Sequence, residues 1–228
     1  PTWENQRMTH RESWTRRRLI EKVGQAVGVA VGAFGLGAFS VTGATTAFAA
    51  ARSTVVEGVT FDTQMQLWGA DLVLNGTGVR AVAWIKGYAA ALYLTRRSNQ
   101  IAGVLSTPGP KRLRLHMLMD VPANEFSKAF DKGVRRNVAV SELPTLLPRM
   151  EQFEEVILGL KTVRKGDVVD LDFDPSRGLV LQLNGKLQGL PIPGADFYAA
   201  LLRSFIGDQP YDKALRAGLL GTHASNES

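Results

Sequence analysis

Residues 78–94 read GVRAVAWIKGYAAALYL, a run that is apolar except for Arg80, Lys86, Tyr88 and Tyr93. A stretch this rich in Ala, Val, Trp and Tyr reads as sheet, in one strand or two paired strands, with a bulge near Gly87. Arg80 then needs an explanation. Either it stands in water at the sheet's edge, where a surface pairing is worth little, or it lines a cavity and waits for an anion.

The flanking segments extend the sheet. Residues 55–61 alternate loosely and predict one strand. Residues 70–75, ADLVLN, predict a second, closed by the turn pair Asn75-Gly76. Residues 111–120, KRLRLHMLMD, set Arg112, Arg114 and His116 against Leu113, Leu115 and Met117, the period of two of a half-buried strand. Later, DVVDLDF, LVLQLN and KLQGLPI, joined by DPSRG and Asn184-Gly185, predict a three-strand meander.

Helices fall between and after the strands. RRSNQIAGVLS predicts a short one. PANEFSKAFDKGVRRN places Phe126, Phe130 and Val134 on one face and Lys128, Lys132, Arg135 and Arg136 towards the other. A second amphipathic helix follows Ser141, one in GADFYAALLRSFIG ends at Gly207, and DKALRAGLLG gives a last short one. Strands and helices are segregated and the turns are hairpin turns. The fold class is therefore α+β: an antiparallel sheet with a layer of helices on one face, and room for a cleft between the layers.

The first 51 residues read differently. Arg16–Arg18 is basic, a glycine-diluted apolar stretch follows over about 23–39, and Ala47-Phe48-Ala49 fits a small-x-small cleavage site. Thr15-Arg16-Arg17 followed by Arg18-Leu19-Ile20 resembles the twin-arginine export signal. Residues 1–51 are thus expected to be an export signal cut after Ala49 or Ala51, placing the protein in a bacterial periplasm or outside the cell. The alternative is a retained membrane anchor, which the glycines dilute. Residues 52–221 form the predicted domain, and 222–228 a disordered tail.

Composition removes several chemistries. There is no cysteine, hence no disulfide, thiolate metal site or cysteine nucleophile. Of three histidines only His116 can be in the core, which argues against a histidine metal site or relay. The net charge of +6 is shared between the first 51 residues and the rest, too thin a basic excess to mark a nucleic-acid surface. No phosphate-binding loop, dinucleotide fingerprint or hydrolase elbow is present. No cofactor or metal is expected, membrane contact would run only through an uncut signal, and the oligomeric state is open. Asp170 and Asp172 project to one side of a strand. They could bind a cation or do acid/base work, but their plainer reading is the solvated face of the meander. Lys132, Arg135 and Arg136 read likewise as a solvated helix face.

GTGVRAVAWIKGYAAALYL, PANEFSKAFDKGVRRN and FYAALLRSFIGDQPYDKALRAGLLG, in that order, resemble the chalcone isomerase superfamily, within it the bacterial chalcone-isomerase-like group. The resemblance covers about 55–221. It implies an open-faced sandwich, an antiparallel sheet with a helical layer and a ligand cleft between them. In the plant enzymes an arginine in a Gly-x-Arg context polarises the substrate oxygen, and Arg80 stands there. The enzymes' threonine on the next strand is matched by Tyr88. Their helical tyrosine, lysine and asparagine are matched by Phe126, Ala129 and Gly133, and a late threonine and methionine by Ser204 and Phe205.

The resemblance therefore implies a changed site. Phe126 cannot donate a hydrogen bond, and the groups that hold the far hydroxyl of a chalcone are gone. What remains, one arginine and one tyrosine beside an apolar helix face, is similar to the plant fatty-acid-binding members, where an arginine and a tyrosine hold the acid head. The expected function is non-catalytic binding of a hydrophobic acid by Arg80, Tyr88, Phe126, Ala129, Gly133, Ser204 and Phe205. An isomerase or lyase on another substrate, and an accessory protein with no small ligand, are the alternatives. Phe126, Phe205 and Trp84 read most simply as core that can also wall a pocket. If Arg80 heads the cleft, its guanidinium should face the helix of Phe126 and Ala129, with no protein carboxylate satisfying it fully.

Overall fold

The computed structural model describes residues 52–82 and 85–222. The predicted export signal over 1–51, Trp84, and the tail beyond Thr222 lie outside the described residues.

A hairpin opens the domain: β1 (Ser53–Val56) and β2 (Val59–Asp62). The single strand expected over 55–61 is this hairpin. The chain reverses at Glu57–Gly58, both at positive φ, and a glutamate in that position masks the turn from a reading by residue type. β3 (Gln64–Leu67) turns at Trp68–Gly69 into the long β4 (Ala70–Val82), which pairs with β5 (Ile85–Leu94). Then come α1 (Ile101–Ser106), β6 (Lys111–Met117), β7 (Val121–Pro122), α2 (Ala123–Asn137), α3 (Leu143–Gly159) and β8 (Thr162–Val163). The meander β9 (Val168–Asp174), β10 (Gly178–Leu183) and β11 (Lys186–Ile192) is followed by α4 (Ala195–Ile206) and α5 (Lys213–Leu219).

Seven strands make one antiparallel sheet in the order β11-β10-β9-β6-β5-β4-β3. Its inner face carries Leu92, Leu94, Leu113, Leu115, Leu171 and Leu181, packed against Phe130 and Val134 of α2, Phe153 of α3, and Phe197 and Leu201 of α4. Phe130, Phe153 and Phe197 meet edge to face, with centroids 4.6–6.1 Å apart. Helices thus cover one face, as the segregated pattern requires. The outer face has a smaller core of its own, where Val59 and Phe61 of β2 cover Leu72, Leu74, Ala91 and Tyr93.

β4 does not end at Asn75-Gly76. Both flanks of that pair bond the same neighbour, β5, and the strand runs through with a bulge. The Asn75 side chain accepts from the Ser98 backbone N–H and donates to the Leu219 carbonyl, each at 2.7 Å. The glycine serves a close approach: a Cβ on Gly76 would collide with the Gly218 carbonyl, and one on Gly78 would lie 2.9 Å from the Leu215 carbonyl oxygen. α5 therefore rests directly on β4.

The meander carboxylates correct a second expectation. Asp170 and Asp172 are buried, not solvated. Arg112 donates to both oxygens of Asp172 (2.7 and 2.6 Å) and Arg114 to both oxygens of Asp170 (2.7 and 2.8 Å). Cross-strand register pairs these residues directly, so these four charges satisfy each other. β6 is consequently buried on both faces along most of its length, and His116 is half-buried on the outer one.

Candidate functional site

A cavity of about 450 Å³ lies between the sheet and the helices. Leu115, Val169, Leu171 and Leu181 supply its sheet side. Phe126, Ala129 and Phe130 of α2, Phe153 and Ile157 of α3, and Leu201 and Phe205 of α4 supply the helical side. Ile85 and Met119 are exposed at its rim, with Asp120 and Glu125. One corner is polar and holds Arg80, Tyr88, Tyr211 and Asp212.

Local geometry builds that corner. Gly76, Gly78 and Arg80 pair with Leu92, Ala90 and Tyr88, so all three face the helices. Beyond Arg80 the register shifts: Ala81 pairs with Lys86, leaving Gly87 as the extra residue of a bulge. The two glycines let α5 lie on the strand, and its N-cap, Asp212, arrives beside Arg80. Asp212 accepts from the backbone N–H of Leu215 (2.9 Å) and of Ala81 (3.1 Å).

Arg80 points to the cavity, its side chain 25% exposed. Its Nη1 donates to the Ala81 carbonyl at 2.8 Å and reaches Asp212 Oδ2 at 3.4 Å. Asp212 thus offsets part of the charge. The contact is single and long, however, and no described residue accepts from Nε or Nη2. Burial works to raise the Asp212 pKa, but the Leu215 and Ala81 N–H groups and then Arg80 outweigh it and hold the carboxyl below its ordinary value.

Tyr88 stacks on Phe126 across the cavity, ring centroids 6.5 Å apart. Burial pushes its hydroxyl well above the ordinary value of 10.0, against the pull of Arg80 and with a smaller push from Asp212. The group therefore stays protonated, a donor, and no described residue accepts from it. Ser204 lines the cavity, but its hydroxyl donates to Leu201 one turn back (2.6 Å).

Of the predicted site residues, Arg80, Tyr88, Phe126, Ala129, Ser204 and Phe205 line this one cavity, and Gly133 does not. Gly133 is buried where α2 crosses α4. A Cβ there would lie 2.6 Å from Ser204 Cβ and 3.2 Å from the Tyr211 ring. Sequence reasoning missed Tyr211 and Asp212. The available signal for Asp212 was an aspartate heading a short helix, the N-cap pattern.

No curated protein matches the chain. Among solved structures, the crystal structure of a fatty-acid binding protein of Arabidopsis thaliana is similar, with a TM-score of 0.58 at 16% identity, covering 74% of this chain and 96% of that one. At that identity the likeness shows a shared fold. The family model for chalcone isomerase-like proteins matches residues 53–221, from the first strand to the glycine after α5. The chain belongs to the chalcone isomerase-like family.

Proposed function

We propose that this protein binds, without catalysis, a hydrophobic molecule carrying an acid group, fatty-acid-like in character. The tail lies in the cavity and the head at Arg80. The observation that carries this reading is the Nε/Nη2 edge of Arg80, which no described residue engages, at the polar corner of an otherwise largely apolar cavity. Such an edge matches a carboxylate with two parallel hydrogen bonds. Tyr88 adds a donor that does not titrate in the physiological range. The volume falls within the roughly 300–1,000 Å³ of small-molecule sites. The structural likeness to a plant fatty-acid binding protein supports the same ligand class.

Catalysis of the chalcone type lacks its donors. Phe126 has no hydroxyl, Ala129 and Gly133 have no polar head, and each lost transition-state donor costs about 10²–10³ in rate. The basic, apolar, small-residue order of 1–51 supports export to a bacterial periplasm or the exterior. No cofactor and no nucleic acid enters this reading.

The test is recovery of ligand. Protein purified from a bacterial host is extracted and its bound acids identified by mass spectrometry, and dodecanoic acid is titrated calorimetrically into wild type, Arg80→Ala and Arg80→Lys. Wild type should bind, Arg80→Ala should lose the acid with its circular dichroism unchanged, and Arg80→Lys should bind more weakly because an ammonium lacks the planar fork. Equal affinity in Arg80→Ala, or robust turnover of a chalcone, overturns the proposal.

A further inference from the structure

The cavity has one wet end and one dry end. Ile85, Met119, Asp120 and Glu125 line it and are exposed. Ile85 pairs with Val82, two residues beyond Arg80 on β4, so the mouth lies beside the polar corner. Leu181 of β10, Phe153 of α3 and Leu201 of α4 also line the cavity, and all three are buried. Phe153 is held edge to face by Phe130 and Phe197, and Leu181 pairs with Leu171 across β9 and β10. This group contains no polar side chain, so an acid head is costly there and an alkyl end is not.

Strand register measures the distance between the two ends. The sheet residues that line the cavity fall in three successive rows: Arg80 with Tyr88, Leu115 with Val169, and Leu171 with Leu181. They cross the sheet from β4 through β5, β6 and β9 to β10, which is four strand-to-strand steps. At ~4.8 Å each, four steps span about 19 Å. The slant of the rows lengthens this path, and the side chains of Arg80 and Leu181 shorten it again. An extended carbon chain advances about 1.3 Å per bond, a third of the ~3.8 Å that three backbone bonds span, so the path takes about sixteen carbons. At the ~30 Å³ that a group of water's size occupies in a liquid, one such chain fits a cavity of about 450 Å³ and two do not.

Resting on the acid-binding reading above, we infer that the cavity is a blind slot for a single unbranched acyl chain of about sixteen carbons, and that Leu181, with Leu201 of the helical layer, sets its length. The acid head stays at Arg80 beside the mouth, and the methyl end stops at Leu181. Up to that stop each added methylene is buried and raises affinity about fourfold. Beyond it a further methylene must displace packed side chains or push the head off Arg80, so the gain ends. A lipid with two acyl chains exceeds the volume.

The experiment measures competition of straight-chain acids, octanoic to icosanoic, against radiolabelled dodecanoic acid on the full chain. Wild type, Leu181→Ala, Leu201→Ala and Ile85→Ala are compared, with melting temperature as the structural readout. Wild-type affinity should climb to hexadecanoic acid and then level or fall. Leu181→Ala opens the blind end and should move the break to octadecanoic acid or beyond. Octadecanoic acid should then gain about tenfold over hexadecanoic acid relative to wild type. Leu201→Ala should move the break likewise, which keeps the test decisive where one variant does not fold. Ile85→Ala, at the mouth, should leave it in place. The length inference fails, and acid binding stands, if wild-type affinity climbs unbroken to icosanoic acid or breaks at dodecanoic acid or below. It fails equally if neither leucine variant moves the break, or if Ile85→Ala moves it too. If wild type binds no acid of any length, both readings fall.

Discussion

Asp212 touches Arg80 through one long contact, Nη1 to Oδ2 at 3.4 Å, while its shorter hydrogen bonds go to the backbone N–H groups of Ala81 and Leu215. The backbone positions the carboxylate, and the carboxylate only partly neutralises the arginine. Asp212→Asn retains a good N-cap and removes the offset. Affinity for dodecanoic acid should rise, by roughly three- to tenfold at an effective dielectric suited to a part-exposed site. Asp212→Ala instead loses the cap and should cost about 1 kcal/mol in urea unfolding. Weaker acid binding by Asp212→Asn would mean that the carboxylate organises Arg80 rather than competing with the ligand.

Arg112, Asp170 and Asp172 are buried and, with the part-exposed Arg114, form a charge-balanced cluster, Gln182 donating to Asp172 at 2.9 Å. Removing one member leaves a buried charge without its partner. Arg112→Met should therefore destabilise by about 3–5 kcal/mol. Replacing Arg112 and Asp172 together by apolar residues should recover a substantial part of that loss, because the desolvation cost goes too. Urea unfolding of the two single variants and the double variant measures the coupling. Purely additive losses would refute it.

Much of the architecture was readable from periodicity. Phe126, Phe130 and Val134 announce the buried stripe of α2, and Gly87 announces the bulge that re-registers β5. The hairpin over 53–62 was hidden by a local feature, Glu57 at positive φ, but two other misreadings share one cause: each depends on a partner far away in the chain. Asn75-Gly76 carries turn chemistry, yet its asparagine bonds Leu219, 144 residues on, and its glycine admits α5. Asp170 and Asp172 look solvated until Arg112 and Arg114, with the same spacing of two, are set opposite them across β6 and β9. The site shows the same division. Arg80 stood out as a charge heading an apolar run, whereas Tyr211 and Asp212 lie in a polar connection that reaches the cavity only once α5 docks on β4.

Asp174 should dominate part of the acid response. Burial raises its pKa, but the Ser176 hydroxyl and N–H and the Arg177 guanidinium more than compensate, holding it down to about 2 from an ordinary 3.8. A folded-state value below the unfolded one means that stability is fully present above pH ~4 and is lost as pH falls towards the folded value. Between pH 5 and 2 the wild type should therefore lose stability more steeply than Asp174→Asn. Parallel curves of urea midpoint against pH would show that Asp174 contributes nothing in this window.

Gly133 decides whether the helical set that the resemblance assigns to the plant enzymes can simply be installed here. It stands where the resemblance to the plant enzymes puts an asparagine, but a Cβ here meets Ser204 Cβ at 2.6 Å and the Tyr211 ring at 3.2 Å. Neither is the loose end of a flexible chain: Ser204 is buried in α4, and Tyr211 presents a rigid ring within 6 Å of the Arg80 and Arg136 guanidiniums. Overpacking of this kind costs roughly 1–3 kcal/mol. Gly133→Ala should fall in that range, and Gly133→Asn at or beyond its upper end, since the amide must also displace the Tyr211 ring. Even the triple variant Phe126→Tyr, Ala129→Lys, Gly133→Asn should leave chalcone cyclisation near the uncatalysed rate, because the asparagine forces α2 away from α4 and shifts the other two off the cavity. Adding Tyr211→Ala makes room for the amide, so it should recover stability relative to the triple variant. Urea unfolding of the series and a chalcone absorbance assay check both statements. A triple variant that is as stable as wild type would show that α2 and α4 yield at this crossing, and that Tyr211 is not what bars the asparagine.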